Sequence, residues 1–166
     1  MLPAYVPNPA AVILGGGIPI DGGRLHADGN RLLGDGKTVR GLLLGILAGV
    51  LVGSVQILLQ TQGLPEFLPR HTLLSVSLLA TGALAGDLVK SYFKRRRGIP
   101  QGQKWPVADQ YDFVAGALLL TLAGAPAWVL SNITIPIFLW ILVLTPLLHR
   151  AVNLLGYSLG VKDVPW

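Results

Sequence analysis

A run of 20 uncharged residues limits the possible folds of this chain more than any other feature. It extends from Gly41 to Gln60 and reads GLLLGILAGVLVGSVQILLQ. A helix of about 20 such residues crosses the hydrocarbon core of a bilayer while satisfying its own backbone polar groups. Glycine recurs at every fourth position, so the helix presents a smooth face on which a neighbour can pack closely. The stripe consists of Gly41, Gly45, Gly49 and Gly53.

Three further apolar runs complete the predicted architecture. They extend from His71 to about Phe93, from Asp112 to Ser131 and from Ile135 to about Leu148. Residues 2–14 are also apolar, but their prolines predict a short, irregular helix. With 52% hydrophobic and 13% charged residues, the chain is too apolar for a soluble domain, in which about a quarter of the residues are charged. We therefore predict an all-α integral membrane protein with a single domain over residues 1–166. It has four clear transmembrane helices and a short proline-containing N-terminal helix, five in total.

The positive charges of the chain predict its orientation. Two predicted spans separate the loop of residues 15–40 from the loop of residues 94–111, and two more separate that loop from the C-terminal tail. All three segments therefore lie on one side, which holds every Lys and Arg except Arg70. By the positive-inside rule this side is cytoplasmic, so we predict a multi-pass protein of the cell membrane with two long cytoplasmic loops. Trp166 is expected to anchor the tail at the interface.

Composition also excludes several kinds of function. The net charge of +5 would suit a nucleic-acid partner, but the cations stand at the ends of apolar runs and are not interleaved with aromatic residues on a polar face. We therefore expect membrane lipids and no nucleic acid as partners. The absence of cysteine excludes disulfides, thiolate nucleophiles and cysteine-ligated metal sites.

The stretch from Gly86 to Phe113 concentrates residues that could carry chemistry. It reads GDLVKSYFKRRRGIPQGQKWPVADQYDF, with one aspartate before a dense cationic loop and two after it. Carboxylate oxygens are the ligands that Mg²⁺ prefers, while Lys and Arg bind anionic oxygens. Asp109 and Asp112 are three residues apart, which places both on one face if a helix begins there. The stretch suits phosphates and a hard metal, although basic loops and aspartates at helix N-termini also occur without ligands.

A second polar stretch extends from Gly15 to Arg40 and reads GGGIPIDGGRLHADGNRLLGDGKTVR. Its aspartates alternate with Arg and Lys, a mixture that is typical either of a charged-ligand site or of a solvated loop. The segment from Gly34 to Thr38 is similar to the end of a nucleotide P-loop. Arg31 stands where the first P-loop glycine would be, and no apolar strand precedes it, so a P-loop is excluded.

Three short motifs give the chain a family resemblance. Gly86-Asp87-Leu88, then Ser91 to Arg95, and then Asp109 to Asp112 resemble the signature G-D-x-x-x-S-x-x-K-R leading to D-R-x-D. This signature belongs to the CTP:phosphatidate cytidylyltransferase family. Gln110 stands where bacterial and eukaryotic members carry arginine, and their H-G-G is missing, as is common in the archaeal branch. The match therefore looks closest to that branch, the CDP-archaeol synthases.

The resemblance covers most of the chain from Leu2 to Ala117, and it includes Pro19-Ile20-Asp21 and the segment from Gly34 to Gly41. It implies transfer of a cytidylyl group from CTP to the phosphate of an unsaturated archaeal ether lipid, 2,3-bis-O-geranylgeranyl-sn-glycerol 1-phosphate, with release of pyrophosphate. A groove between helices would admit the isoprenoid tails. A phosphate monoester loses its second proton at about pH 6, so the lipid phosphate is already a nucleophile and no histidine is required as a base.

The same resemblance implies residue roles. One or two Mg²⁺ ions would bind Asp87, Asp109 and Asp112 and bridge the CTP phosphates. Lys94 and Arg95, which would be catalytic together with the aspartates, would hold the leaving pyrophosphate with Ser91. Contacts to nucleotide or lipid phosphate are expected from Asp35, Lys37, Thr38 and Arg40. Arg96 and Arg97 are expected to be solvated or to contact lipid headgroups.

Other functions are open on sequence alone. A CDP-alcohol phosphotransferase would also use aspartates and Mg²⁺, but it predicts D-G-x-x-A-R followed by G-x-x-x-D-x-x-x-D, of which the segment from Asp28 to Arg31 is only a fragment. A small ion-coupled transporter would use Asp87 as an ion relay. It predicts ionisable residues near mid-membrane, whereas these lie towards one face. An assembly protein that uses the glycine stripe leaves the loop aspartates unexplained.

Overall fold

The computed structural model describes residues 1–63, 68–161 and 164–165. Trp166, the expected interfacial anchor, lies outside the described residues. The described part of the chain forms helices without any extended strand, which confirms the all-α class. The helices are α1 (Leu2–Tyr5), α2 (Pro7–Leu14), α3 (Val39–Thr61), α4 (Leu73–Arg96), α5 (Ala108–Gly124), α6 (Pro126–Asn132) and α7 (Ile135–Ser158).

Three helices, α3, α4 and α7, are long and apolar enough to cross a membrane, and they coincide with three of the four predicted spans. The last of them continues to Ser158, so His149 and Arg150 lie within α7 instead of following it as expected. These three helices establish the framework of a membrane protein.

The remaining predicted span, from Asp112 to Ser131, is not one helix. The chain leaves the helical conformation at Ala125, with φ −147° and ψ 60°, and divides into α5 and α6. The physical reason is Pro126, because proline offers no backbone N–H and its ring excludes the preceding residue from the α conformation. The predicted single helix was therefore wrong at this point. The start of α5 at Ala108 does place Asp109 and Asp112 in its first turns, as predicted.

The glycine stripe of α3 packs against neighbours as predicted. A Cβ on Gly49 would lie 2.7 Å from the carbonyl oxygen of Pro3, and one on Gly45 would lie 2.7 Å from that of Pro7. On Gly53 it would lie 2.2 Å from the Val76 side chain on α4. The stripe thus packs both against the broken N-terminal pair α1 and α2 and against α4, so the proline-containing segment is part of the helix packing.

Helices α4 and α5 approach each other even more closely. A Cβ on Gly86 would lie 2.2 Å from the carbonyl oxygen of Asp112, and one on Gly116 would lie 2.3 Å from that of Gly82. Buried apolar residues of both helices form the core beside this contact, among them Leu79, Ala83, Phe113 and Ala117. Because Gly86 precedes Asp87, the close approach also brings Asp87 of α4 beside the first turns of α5.

Candidate active site

Three aspartates from two helices converge on a single lysine. The ammonium nitrogen of Lys90 lies 3.2 Å from an oxygen of Asp87, 3.2 Å from one of Asp109 and 2.9 Å from one of Asp112. All four side chains are largely buried, with exposures between 5% and 20%. Charges are costly inside a membrane protein unless they are paired. Lys90 therefore stabilises three carboxylates that would otherwise repel one another.

Lys90 was not among the predicted site residues, although sequence analysis placed all three aspartates correctly beside one another. One signal was present in the sequence: Lys90 follows Asp87 by three residues and precedes Lys94 by four, so all three share one face of α4. What the sequence could not show is that α5 would supply two more carboxylates to the same ammonium.

Lys94 extends the cluster by one helical turn. Its ammonium lies 3.0 Å from both carboxylate oxygens of Asp109. The backbone N–H of Trp105 also donates to Asp109, at 2.6 Å. Ser91 is buried on the same side of α4, and the Nε of its neighbour Arg95 is buried and has no hydrogen-bond partner among the described residues. The predicted pyrophosphate contacts are thus adjacent to the aspartates.

A strained turn holds Asp109 in place. Val107 has φ 68° and ψ −54°, a conformation that is costly for a β-branched side chain. The backbone N–H of Ala108 donates to the carbonyl oxygen of Pro106 at 2.8 Å across this turn. The turn reverses the chain directly before α5, which lets the first turn of that helix face α4.

The loop of residues 15–38 brings a third lysine to the cluster. Lys37 forms a short ion pair with Asp87. Backbone hydrogen bonds from Ile20 N–H to the Lys37 carbonyl, at 2.8 Å, and from Val39 N–H to the Ile18 carbonyl, at 3.0 Å, fix this part of the loop. Three ammonium groups, of Lys37, Lys90 and Lys94, therefore balance the three carboxylates.

Asp21 organises the rest of this loop. Its buried carboxylate accepts hydrogen bonds from the backbone N–H groups of Gly23, Leu33 and Gly34 and from the guanidinium of Arg31. The Arg31 guanidinium and these backbone donors hold the pKa of the Asp21 carboxyl well below its usual range. Asp21 thus stays ionised as the structural centre of the loop.

Arg96 ties the same loop to the end of α4. Its guanidinium lies 2.6 Å from an oxygen of Asp28 and 2.6 Å from the carbonyl oxygen of Arg31. This differs from the expected solvated or headgroup-bound side chain, because the loop folds back far enough to cover it. Arg97 is exposed, as expected, and lies over the Trp105 ring with its guanidinium carbon 4.6 Å from the ring centroid.

An apolar groove between α4 and α5 begins at the cluster. Its volume is about 660 Å³, and Lys90 and Asp112 are its charged lining residues. The remaining lining is apolar or aromatic and includes Val89 and Phe93 on α4 and Tyr111 and Leu119 on α5. Along α5 it extends from Ala108 to Ala123, about 22 Å at 1.5 Å per residue. A charged head and a long apolar body suit an amphiphile with an anionic headgroup. A second cavity, of about 500 Å³, lies between the Asp21 loop and Tyr92.

The chain matches one family model over its whole length. Residues 1–166 match the CarS-like model, described as CDP-archaeol synthase. The chain belongs to the CDP-archaeol synthase family. A CDP-archaeol synthase from Methanosphaerula palustris is 66% identical, and one from Methanospirillum hungatei is 58% identical; each alignment covers all of both chains.

A solved structure has a similar fold. It is described as an intramembrane enzyme for archaeal membrane lipids biosynthesis. At 36% sequence identity it superposes with a TM-score of 0.66, covering 98% of this chain and 90% of the other. The family and the fold are therefore established together over nearly the whole chain.

Not every predicted substrate contact of this CDP-archaeol synthase family member faces the cluster. The hydroxyl of Thr38 accepts hydrogen bonds from Gly41 N–H at 3.1 Å and Gly16 N–H at 3.2 Å, and so caps α3. The side chain of Asp35 is 71% exposed and pairs with Arg31. Arg40 is exposed on the first turn of α3. Of this group, only Lys37 touches the carboxylate cluster in the described structure.

The three aspartates have the chemistry of a Mg²⁺ site but are arranged around an ammonium. Within residues 1–63, 68–161 and 164–165, no three His, Asp or Glu side chains form a ready-made cation site. Carboxylate oxygens are nevertheless the hard donors that Mg²⁺ takes. One of them, Oδ2 of Asp112, is buried and has the Lys90 ammonium, at 2.9 Å, as its ion-pair partner. The residues therefore fit a divalent cation provided that the Lys90 ammonium withdraws.

Proposed function

We propose that this protein transfers the cytidylyl group of CTP to the phosphate of 2,3-bis-O-geranylgeranyl-sn-glycerol 1-phosphate, giving a CDP-activated lipid and pyrophosphate. Membership of the CDP-archaeol synthase family supports this reaction. The observation that carries it is the position of the aspartate and lysine cluster at the head of the α4–α5 groove. In such a site the cluster would bind polyphosphate and the adjoining groove would bind a lipid.

The groove supports a lipid substrate in particular. Its apolar lining would take the isoprenoid tails, and its charged end would place the lipid phosphate beside Asp112. At neutral pH this phosphate is mostly a dianion, so it attacks the α-phosphorus of CTP without a protein base. The bond from that phosphorus to the bridging oxygen breaks, and pyrophosphate leaves with the electron pair.

The protein then has to position the two substrates and neutralise their charge, because CTP and the lipid phosphate are both polyanions. We assign Mg²⁺ to Asp87, Asp109 and Asp112, where it would neutralise charge on the CTP phosphates. Lys94, Arg95 and Ser91 would bind the leaving pyrophosphate, since the Lys94 ammonium lies 3.0 Å from Asp109, Ser91 is buried on α4 nearby, and the Arg95 Nε lacks a partner among the described residues. Lys37, from the loop that Thr38 joins to α3, and Arg40, on the first turn of α3, would contact phosphate, whereas Asp35 pairs with Arg31.

The proposal includes a membrane topology. Helices α5 and α6 would make one crossing together with a break at Ala125, which gives four crossings with α3, α4 and α7. The two polar loops and the carboxylate cluster would then face the cytoplasm, where CTP and Mg²⁺ are available. This orientation follows the distribution of Lys and Arg.

Label transfer tests the reaction. Purified protein is incubated with Mg²⁺, the unsaturated ether lipid phosphate and CTP labelled at either the α- or the γ-phosphate. The proposal predicts that α-label enters the organic phase and γ-label stays in water as pyrophosphate. Labelled lipid from γ-labelled CTP would show phosphoryl transfer and contradict it.

A groove variant tests the lipid part separately. Leu119 lies in the groove seven residues beyond Asp112, so Leu119→Trp would block the tails without touching the charged residues. We expect its KM for the long-chain lipid phosphate to rise roughly tenfold, the scale of losing a few buried methylene groups. Leu43→Trp, on the exposed face of α3, is the control. Equal KM values for both variants would show that the lipid does not bind in this groove.

A further inference from the structure

Lys90 lies where the carboxylate cluster meets the groove. Its ammonium is within 3.2 Å of Asp87, Asp109 and Asp112, and the same residue lines the apolar groove. Lys37 and Lys94 belong to the cluster but do not line the groove. Among the three cluster lysines, therefore, Lys90 adjoins both proposed substrates.

The net charge of the cluster rises from zero to positive when a divalent cation enters. Three carboxylates and three ammonium groups balance one another in the described structure. A divalent cation brings two further positive charges to the same oxygens, and it needs the space that the Lys90 ammonium occupies. The flexible four-carbon stem of lysine allows that ammonium to move while the helix stays fixed. The displaced ammonium then requires another anion as its partner.

We propose that Lys90 is the residue that binds the lipid phosphate, and that the three aspartates retain its ammonium until a divalent cation releases it. This proposal rests on the proposed function. The phosphate of a lipid in the α4–α5 groove arrives at the end that Lys90 lines, so it is the nearest new anion for the released ammonium. The metal-free protein has no such ammonium available and binds the lipid phosphate weakly.

Amine labelling of the full-length wild-type protein tests the release directly. The protein in detergent is reductively methylated and the extent of modification at each lysine is read by peptide mass spectrometry. We expect Lys90 to be protected without metal, to become at least several-fold more reactive with Mg²⁺ alone, and to be protected again when geranyl phosphate is added. Unchanged reactivity of Lys90 on addition of Mg²⁺ would overturn the proposal. This experiment uses only the wild-type protein, so it does not depend on the folding of a variant.

Three variants test both consequences without measuring turnover. Free Mn²⁺ measured by electron paramagnetic resonance gives cation affinity, and calorimetry with geranyl phosphate at saturating Mg²⁺ gives phosphate affinity. Lys90→Gln should bind Mn²⁺ roughly tenfold more tightly and geranyl phosphate roughly tenfold more weakly. The reason is that the lost ammonium would repel the nearby cation and attract the nearby phosphate. Arg70→Gln, which removes an exposed cation just before the opposite end of α4, should leave the geranyl phosphate affinity unchanged. Lys90→Arg retains the charge and should restore phosphate binding.

The outcomes separate this proposal from the proposed function. If wild-type protein makes the CDP-lipid but Lys90→Gln binds geranyl phosphate as tightly as wild type, the assignment of Lys90 is wrong and the reaction stands. Weaker Mn²⁺ binding by Lys90→Gln would likewise show that the lysine supports the cation and does not compete with it. If the wild-type protein makes no CDP-lipid under any condition, the proposed function itself has failed.

Discussion

The two ends of α4 bury polar side chains in opposite ways. At its N-terminus, Thr72 and Ser75 form a reciprocal capping box, and His71 stacks on Trp128 with ring centroids 5.3 Å apart. The Trp128 indole donates to the Arg70 carbonyl oxygen at 2.6 Å. Most polar groups here have neutral partners supplied by neighbouring backbone and side chains, while the buried Nδ1 of His71 has no hydrogen-bond partner among the described residues. This end is an ordinary capped helix terminus.

At the other end, charged groups face one another. One ammonium lies within 3.2 Å of three carboxylates, and the buried Nε of Arg95 has no hydrogen-bond partner among the described residues. Burying charges in this way costs stability compared with neutral hydrogen bonds. The difference shows where the chain gives up stability for ligand binding, because the charged end brings together carboxylates and ammonium groups that metal and phosphate can bind.

Removal of one carboxylate from the charged end should have the largest effect. Asp112→Asn keeps the shape of the side chain but removes its charge, so we expect cytidylyl transfer to fall about 1,000-fold or more, the scale of a lost electrostatic contact in a transition state. Thermal unfolding in detergent should show a folded protein. Substantial residual transfer would contradict the assignment of Asp112 to the cation.

Separation of α4 from α5 should come next in size. A Cβ on Gly86 would lie 2.2 Å from the backbone oxygen of Asp112, so Gly86→Ala forces the helices apart. We expect a loss of about 1–3 kcal/mol in the free energy of unfolding, as for overpacking in general, together with loss of activity. Gly124→Ala is the matched control, because its Cβ would meet the end of the Leu78 side chain, which can move. Equal losses in both variants would show that close approach at Gly86 is not special.

The neutral end should respond to pH through His71. Burial, with a smaller contribution from the N-terminal amine, lowers the pKa of His71 to about 4, whereas an unfolded histidine has a pKa of about 6.5. Between these values the unfolded state binds more protons, so stability is lost as the pH falls from about 6.5 towards 4. We expect the melting temperature of wild type to fall in this window by a few degrees more than that of His71→Phe. Parallel pH profiles would contradict the burial of His71.

Arg97 should matter least. Its side chain is exposed and lies over Trp105, away from the carboxylate cluster, and exposed interactions of this kind contribute about 1 kcal/mol or less. Arg97→Ala should therefore change the rate of cytidylyl transfer by less than about threefold. A complete loss of transfer would show that the phosphate site extends farther along the loop than proposed.

The local parts of this structure were predictable from sequence. The glycine stripe of α3, the shared face of Asp109 and Asp112, and the framework of apolar helices each depend on the period of a single helix. The break at Ala125 could also have been predicted, since Pro126 lies within the apolar run and excludes its neighbour from a helix. Thr38, directly before the first residue of α3, was likewise an available capping signal.

The parts that required the structure depend on distant segments. The role of Lys90 depends on the crossing of α4 and α5 at Gly86 and Gly116, which no local pattern reports. The groove arises from the same crossing. Arg96 was expected to be solvated because its partners, Asp28 and the Arg31 carbonyl, lie more than sixty residues earlier in the chain. The helix period thus predicts which residues share a face, and tertiary packing determines which distant residues that face contacts.

The most direct test of the charged end as a cytidylyltransferase site is lipid-dependent pyrophosphate release. Wild-type protein and Asp112→Asn are each given Mg²⁺ and one of the four ribonucleoside triphosphates, with and without the unsaturated ether lipid phosphate. We predict release from wild type with CTP and lipid phosphate together, and almost none from the variant. Release without the lipid phosphate, or equal release from both proteins, would contradict the account.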